Sequence, residues 1–536
     1  MAVTHEVVNQ PPPMVGRNIF TDNVPLVEAT QWTKSAGVVP TATELGAVLG
    51  TADMAELAAR AHDHPPVLRT HDRVGHRIDE IDFDPAWHTF MDLAVSHGVH
   101  ASPWQDPGPG AHARRAVLFS LLAQTEPGHG CPISMTYSSV PTLALNPELM
   151  GEWGPKITAS VYDPGLRPPA DKRGVLLGMA MTEKQGGSDV RAGTTSATPV
   201  SDGYLLRGHK WFCSAPMSDA FLVLAQAPGG LTCFLLPRVL PDGTRNGIRF
   251  QRLKDKLGNR SNASAEPEFI DALAQRVGEE GRGVRTIIEM VNHTRLDCVI
   301  GSTAGMRQGV AEALWHARHR NVFGRRLWDQ PLMRQVLADL CLEAEAATVT
   351  MMRLASAYDA ETDAPFRRLA TAVVKYWVCK RGSAHSAEAL ECLGGNGYIE
   401  EFPLARRYRE QPLMSIWEGS GNVISLDVLR AMATEPATVD AFLTEVETGT
   451  GIDPTLDALT ASLRKRLGQH IEQSQARKLT EDLALALQAS LLWRYAPEPV
   501  AAAFSAARLS NDRGLTYGDL PDGVDTAAIM ERHLPE

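Results

Sequence analysis

At 536 residues the chain exceeds the roughly 250–300 residues at which a single hydrophobic core stops growing, so several packed units are expected. Its 44% hydrophobic and 21% charged residues are globular in balance, and no run of about 18 apolar residues is present to span a membrane. A formal net charge of −11 disfavours a general polyanion binder. The N-terminal MAVTHEVVNQPPP lacks the basic and apolar regions of a secretory leader. Seven dispersed cysteines without a C-x-x-C pair fit reduced thiols in a cytoplasmic protein without a zinc site.

Residues 1–177 read as a mainly helical domain, for example Ala113–Gln124, where Val117, Leu121 and Leu122 fall at helical spacing. Over 178–282 the texture becomes β-type. The runs Phe221–Leu224 and Cys233–Leu236, with turn signals at Pro228-Gly229-Gly230 and Pro241-Asp242-Gly243, predict a small antiparallel β-domain. From Gly283 the helical period returns, with Val284, Ile287, Ile288 and Val291 on one face. Long segments near 284–323, 331–359, 366–392 and 422–433 predict an antiparallel helical bundle over 283–433. Thr434–Asp453, holding Pro436, Gly449 and Gly451, reads as a linker into an extra helical tail within 434–536. The predicted fold class is α+β, helices then strands then helices. No G-x-G-x-x-G stands behind a strand, so a Rossmann site is excluded.

Two stretches carry chemistry. Ala180–Ala192 contains Met181-Thr182-Glu183 and Gly186-Gly187-Ser188-Asp189. Its glycines admit a ligand close to the backbone and its hydroxyls can bond one, while the same residues also suit a plain capped turn. Lys210-Trp211-Phe212-Cys213-Ser214 follows, an aromatic beside a hydroxyl, which suits either a flat heteroaromatic ring or a strand core. The second stretch runs from Glu391 through Gly394-Gly395-Asn396-Gly397-Tyr398 to Glu401, Arg406 and Glu410, then Ile416-Trp417-Glu418-Gly419-Ser420-Gly421-Asn422. Gly419 and Gly421 bracket a helix start capped by Ser420 or Asn422, whose backbone N–H groups can receive phosphate or ring oxygens. A lone Glu418 would be a solvated loop charge; its neighbours change that. His316 and His319 share a helix face, but no third ligand stands nearby in sequence, so no metal is expected.

Residues 180–192 and 391–410 resemble the two signatures of the acyl-CoA dehydrogenase family. Lys256-Leu257-Gly258 and Arg320-Asn321-Val322-Phe323-Gly324 resemble two further elements, all in the family's order. The resemblance implies FAD held noncovalently between the β-domain and the bundle. It implies cofactor contacts from Met181, Thr182, Glu183, Gly186, Gly187, Ser188, Phe212, Cys213 and Ser214. On the bundle side it adds Trp417, Gly419, Ser420, Gly421 and Asn422. Arg320 falls where the family reaches a neighbouring subunit's FAD, which implies a homotetramer built as a dimer of dimers. The implied reaction removes a proton alpha to a thioester carbonyl while the β-hydrogen leaves as hydride to the flavin. Glu418 falls at the family's base position. Some members carry the base on a bundle helix, where this chain has Thr294, which cannot serve, followed by Arg295, an implied electrostatic partner. Fatty-acyl members have tyrosine before the base; the larger Trp417, with Thr294, predicts a pocket for a short or branched acyl-CoA of the isovaleryl type.

Over nearly its whole length the chain also resembles the AidB-like, alkylation-response subgroup. Cys131-Pro132-Ile133-Ser134-Met135-Thr136, residues 253–264, Ser415–Asn422 and the extra tail carry that likeness. It implies weak isovaleryl-CoA dehydrogenase activity, nonspecific binding of double-stranded DNA through the tail, and protection of DNA from alkylation. The tail has 9 Lys and Arg against 16 Asp and Glu, a net of −7, and phosphate contacts need clustered cations. Candidates are Arg464, Lys465, Arg466, Arg477 and Lys478, with the solvated helix face as the plain alternative. Three functions stay open at this point: an acyl-CoA dehydrogenase, a DNA-binding flavoprotein with vestigial dehydrogenase chemistry, and a flavin oxidase. Glu418 disfavours the last, because nitroalkane oxidases of this superfamily use aspartate.

Overall fold

The computed structural model describes residues 4–510 and 514–535. Residues 1–3 of the leader reading, and residues 511–513 and 536 of the tail, lie outside the described residues. Contacts divide the chain into two compact units, one of residues 1–55, 108–125 and 298–536, the other of residues 56–107 and 126–297. The early helices are shared between them. Ala111–Thr125 belongs to the first, while Pro85–Ser96, Gly130–Leu143 and Pro147–Ile157 belong to the second.

In the second unit eight strands form one sheet: β1 (Leu177–Ala180), β2 (Ser196–Val200), β3 (Gly203–His209), β4 (Cys213–Ser214), β5 (Ala220–Ala227), β6 (Gly230–Pro237), β7 (Ile248–Leu253) and β8 (Ser264–Val277). The path runs β1-β5-β2-β3-β8-β4, and β6 pairs with both β8 and β5, so the sheet closes on itself. Closure encloses a core of Leu206, Phe221, Val223, Phe234, Leu236, Phe250 and Phe269. The antiparallel expectation needs a correction, because β1 and β2 both lie parallel to β5. Hairpin turns impose antiparallel pairing, as Pro228-Gly229 does between β5 and β6. The connections from β1 and β2 to β5 are no tight hairpins, so their direction is free.

A buried carboxylate ties the remaining loops of this unit together. Glu126 accepts the backbone N–H groups of Gly128 and His129, the His129 imidazole at 2.9 Å and the Ser261 hydroxyl at 2.5 Å. Burial alone would raise its pKa, but these donors, with His129 foremost, bring it down to about 2. The loop after Lys256-Leu257-Gly258 is thereby fixed against the start of helix Gly130–Leu143.

The bundle contains α1 (Gly283–His319), α2 (Pro331–Ser356), α3 (Ala364–Glu391), α4 (Pro403–Met414) and α5 (Gly421–Thr434). Four of the five match the periodic segments; α4 is an addition. The linker expected over Thr434–Asp453 is corrected, since α6 (Ala437–Glu447) fills it. Proline fits at a helix start, so Pro436 opens this helix, while Gly449 and Gly451 follow its end. The tail continues with α7 (Pro454–Leu467), α8 (Ala476–Tyr495), α9 (Glu498–Arg508) and α10 (Thr526–Glu531).

This tail is bound into the first unit by buried charge. Arg508 pairs with Asp339 and Glu343 of α2, and Arg532 and His533 both bond Glu345. Arg532 also reaches Glu28, and Arg494 joins Arg353 on Glu445. Glu343 and Glu345 are almost wholly buried, and their arginine and histidine partners hold both carboxyls below the usual range against the pull of burial.

Candidate functional site

Each unit carries one group of candidate residues. In the second unit, the segment after β1 turns tightly at Glu183–Gly186, whose backbones exchange two hydrogen bonds. Gly186 has φ +142°, a conformation that favours glycine. A Cβ on Gly187 would sit 2.4 Å from Thr182 Oγ1, so only glycine lets the loop fold onto that side chain. The backbone N–H of Trp211 donates to the Thr182 carbonyl at 2.8 Å, which joins this loop to the segment before β4. Thr182 and Ser214 are half-buried, Ser214 Oγ lying 3.3 Å from Ser264 Oγ. Met181 is half-buried and Ser188 is exposed at the loop's tip. Phe212 presents its ring to the outside at 49% exposure, unusual for a large aromatic in a strand segment.

Two members of the expected cofactor group, Glu183 and Cys213, have their side chains committed inward. The Glu183 carboxylate is saturated by the Lys210 ammonium at 2.8 Å, the backbone N–H groups of Thr194 and Thr195, the Thr194 hydroxyl and Gln185. Both ends of the Glu183–Lys210 pair are 1% exposed. Against the effect of burial, Lys210 and the donors from residues 194 and 195 hold the Glu183 carboxyl well below the usual carboxylate range. Cys213 points into the sheet core, and burial pushes its thiol up to about 12. Lys210 carried no role in the sequence, because its partner lies 27 residues away.

Thr294 and Arg295 lie in α1, both buried. The Thr294 hydroxyl donates to the Val291 carbonyl at 3.0 Å, a local bond that leaves it no part in proton transfer. Further along α1, burial keeps His316 neutral, with its pKa down to about 4. His319 Nδ1 lies 2.8 Å from the Trp315 carbonyl.

In the first unit, α4 ends at Met414 and one further turn delivers Trp417, whose N–H reaches the Leu413 carbonyl at 3.1 Å. The chain then reverses through Glu418 at φ 59° and Gly419 at φ 110°. The left-handed region suits the glycine but costs a glutamate of order 1–3 kcal/mol. Ser420 is extended and stands at the N-cap of α5 without a side-chain cap bond, so the expected Ser420 or Asn422 cap is replaced. Instead the loop is held from outside. Lys375 Nζ donates to the Gly419 carbonyl at 2.6 Å, and Arg477 Nε donates to Asn422 Oδ1 at 2.8 Å. The Trp417 ring packs on Cys298, Cys379 and Met414. Its buried indole N–H has no acceptor among the described residues.

Arg320 stands apart from this loop. Its guanidinium donates to the Asn9 carbonyl at 2.6 Å, while the Asn9 side chain exchanges two bonds with the Asn321 backbone. Most of the candidate tail cations have partners within the protein. Arg464 pairs with Glu447, and Arg466 and Lys478 share Asp482, each at 2.6 Å. Arg477 is turned to Asn422, and Lys465 is exposed.

In the second unit, a half-exposed Phe212 on the same segment as the Ser214 hydroxyl fits one edge of an isoalloxazine-bearing group. In the first unit, the Trp417 indole N–H has no acceptor among the described residues. Family models match three successive stretches of the chain. They are the adaptive response protein AidB N-terminal domain at residues 9–164, the acyl-CoA dehydrogenase middle domain at 178–272 and the acyl-CoA dehydrogenase C-terminal domain at 281–433. The chain is 44% identical over 522 residues to AidB of Escherichia coli (strain K12), covering 96% of each. Among solved structures it is similar to Caenorhabditis elegans ACDH-11 in complex with C11-CoA, at 25% identity and a TM-score of 0.85 over 99% of this chain and 93% of that one. An acyl-CoA dehydrogenase from Bacillus anthracis complexed with FAD shares the fold at 16% identity and a TM-score of 0.62, over 78% of this chain and 76% of that one.

Proposed function

Because the chain belongs to the acyl-CoA dehydrogenase family, as an AidB-like FAD-dependent oxidoreductase acting on the CH–CH group of an acyl-CoA, we propose that Glu418 is its catalytic base and that its substrate is a short or branched acyl-CoA of the isovaleryl type. The observation that carries this reading is the left-handed Glu418, backed by a packed tryptophan and followed by two residues, Gly419 and Asn422, that are anchored from outside. Strain at a carboxylate persists where surrounding structure over-determines it, and such places cluster at reacting centres. In this reading Glu418 takes the proton alpha to the thioester carbonyl. Bound FAD supplies the acceptor for the hydride that leaves the β-carbon. Phe212 would cover the ring, and Thr182 and Ser214 would hydrogen-bond its edge. Arg295, a buried cation on α1, favours the negative charge that develops as the proton departs.

The size limit rests on Trp417. Its ring is packed on Cys298, Cys379 and Met414 and cannot turn aside without opening that cluster. ACDH-11 was solved with C11-CoA, so chain length is the decisive measurement. The holoprotein is mixed anaerobically with butyryl-, isovaleryl-, octanoyl- and undecanoyl-CoA and flavin bleaching is followed. The two short substrates should bleach it at least about tenfold faster than the long ones, and Trp417→Ala should raise the long-chain rates by about tenfold or more. Equal rates in both proteins sink the size argument, and no bleaching by any acyl-CoA sinks the dehydrogenase reading.

The DNA-binding alternative has less behind it. Three of its five cations are already neutralised by carboxylates within the tail. Duplex DNA titrated against the protein at about 50 mM salt should show no association. Binding that weakens steeply with added salt would restore the alternative. The reading includes a dimer of dimers, supported by Phe323, which stands 96% exposed at the tip of the 321–326 hairpin as apolar surface for a second subunit to cover.

A further inference from the structure

We propose that Arg477, carried by the C-terminal tail, is a positioning residue of the flavin site, holding through Asn422 the loop that bears Glu418. The inference rests on the reading of 418–422 as the loop that carries the base and lines the cofactor. Two described side chains reach this segment from distant helices. Lys375 of α3 holds the Gly419 carbonyl, 44 residues away in sequence, and Arg477 of α8 holds the Asn422 side chain, 55 residues away. The ends of Lys380 and Arg477 also close over the first turn of α5. A Cβ on Gly421 would lie 2.9 Å from Lys380 Cε and 3.3 Å from Arg477 Nη2.

Arg477 differs from its neighbours in the tail. Arg464, Arg466 and Lys478 each meet a carboxylate, whereas no described carboxylate lies within ion-pair distance of Arg477. Its Nε is given to Asn422, a neutral side chain on the loop that matters. The tail also lies beyond the residues matched by the family's C-terminal domain, which end at 433, so this anchor comes from outside that domain. The consequence is mechanical. The two anchored positions, Gly419 and Asn422, follow directly on Glu418, so both anchors bear on the positive φ values of Glu418 and Gly419. Unpinning Asn422 lets the loop relax, which loosens the cofactor surface and moves the base from its working direction.

The test uses the full-length protein as apoprotein and holoprotein. FAD affinity is measured by flavin fluorescence on reconstitution, the pH profile of anaerobic bleaching by substrate stopped-flow, and folding by thermal melting of the apoprotein. Arg477→Ala should weaken FAD binding by about three- to tenfold and shift the pH profile, with apoprotein melting unchanged because the side chain is exposed. Arg477→Lys should recover part of both, since an ammonium can still donate to Asn422. Asn422→Ala should reproduce the effect, and Arg477→Ala with Asn422→Ala should add nothing further. Wild-type FAD affinity and pH profile in Arg477→Ala, or additive effects in the double variant, overturn the proposal. Failure of the wild-type apoprotein to take up FAD would instead overturn the flavin reading itself.

Discussion

Glu418→Gln should bind FAD with an unchanged spectrum yet lose acyl-CoA oxidation by about two to four orders of magnitude, the usual contribution of a positioned general base. The amide matches the carboxylate in shape, so the left-handed backbone, the Lys375 contact and the Trp417 packing all survive the change. What disappears is the proton acceptor. Two measurements read it: the rate of anaerobic flavin bleaching, and exchange of the substrate's α-proton with solvent deuterium by NMR. Both should fall together. A variant that retains bleaching within threefold of wild type would mean that another group takes the proton. Thr294 is no candidate, since its hydroxyl is spent on Val291.

The second large effect is expected at Lys210. Lys210→Met removes the cation facing Glu183 in a pair that is 1% exposed at both ends, leaving a buried carboxylate without its partner. Breaking a buried pair from one side costs about 3–5 kcal/mol, so thermal unfolding should shift down by several degrees and FAD affinity should fall with it. The coupling to FAD follows from geometry, because the same carboxylate ties residues 194 and 195 to the turn at 183–186. The pH dependence has a definite sign. The folded Glu183 pKa is depressed, so the stability it supplies is complete above the ordinary carboxylate pKa of about 4.3 and is lost as pH falls through the depressed value. Wild-type protein should therefore keep its flavin down to about pH 4 as far as this pair is concerned. Unchanged melting in Lys210→Met would show that the loop is held by its backbone bonds alone.

How much was legible in advance depends on how local the cause is. Helices α1, α2, α3 and α5 repeat an apolar period, and β5 and β6 are β-type runs joined at Pro228-Gly229, so neighbouring residues suffice to announce them. Helix α4 has arginines in its first half and a proline near its end, so it shows little period of its own. Helix α6 was hidden for a related reason, because prolines and glycines at its borders are as good a signal for a linker as for a helix start and stop. The parallel pairing of β1 and β2 with β5 was hidden because loops of this length do not encode a direction.

The same division runs through the candidate site. The order of residue types from Ala180 to Ala192 and from Ile416 to Asn422 is a local property, and it was enough to reach the family, the cofactor and the candidate base from the sequence alone. Glycine at 187, pressed against Thr182, and the break at Gly419 are written into the same short stretches. What only the tertiary structure decided is where the buried charges end. It turned Glu183 inward onto Lys210, pinned the Glu418 loop from Lys375 and Arg477, and spent Arg464 and Arg466 on the tail's own carboxylates. The physical reason is that each of these contacts joins residues 16 to 55 positions apart. A charge recruits whichever opposite group folding brings within about 3 Å, and spacing along a chain carries no record of that distance.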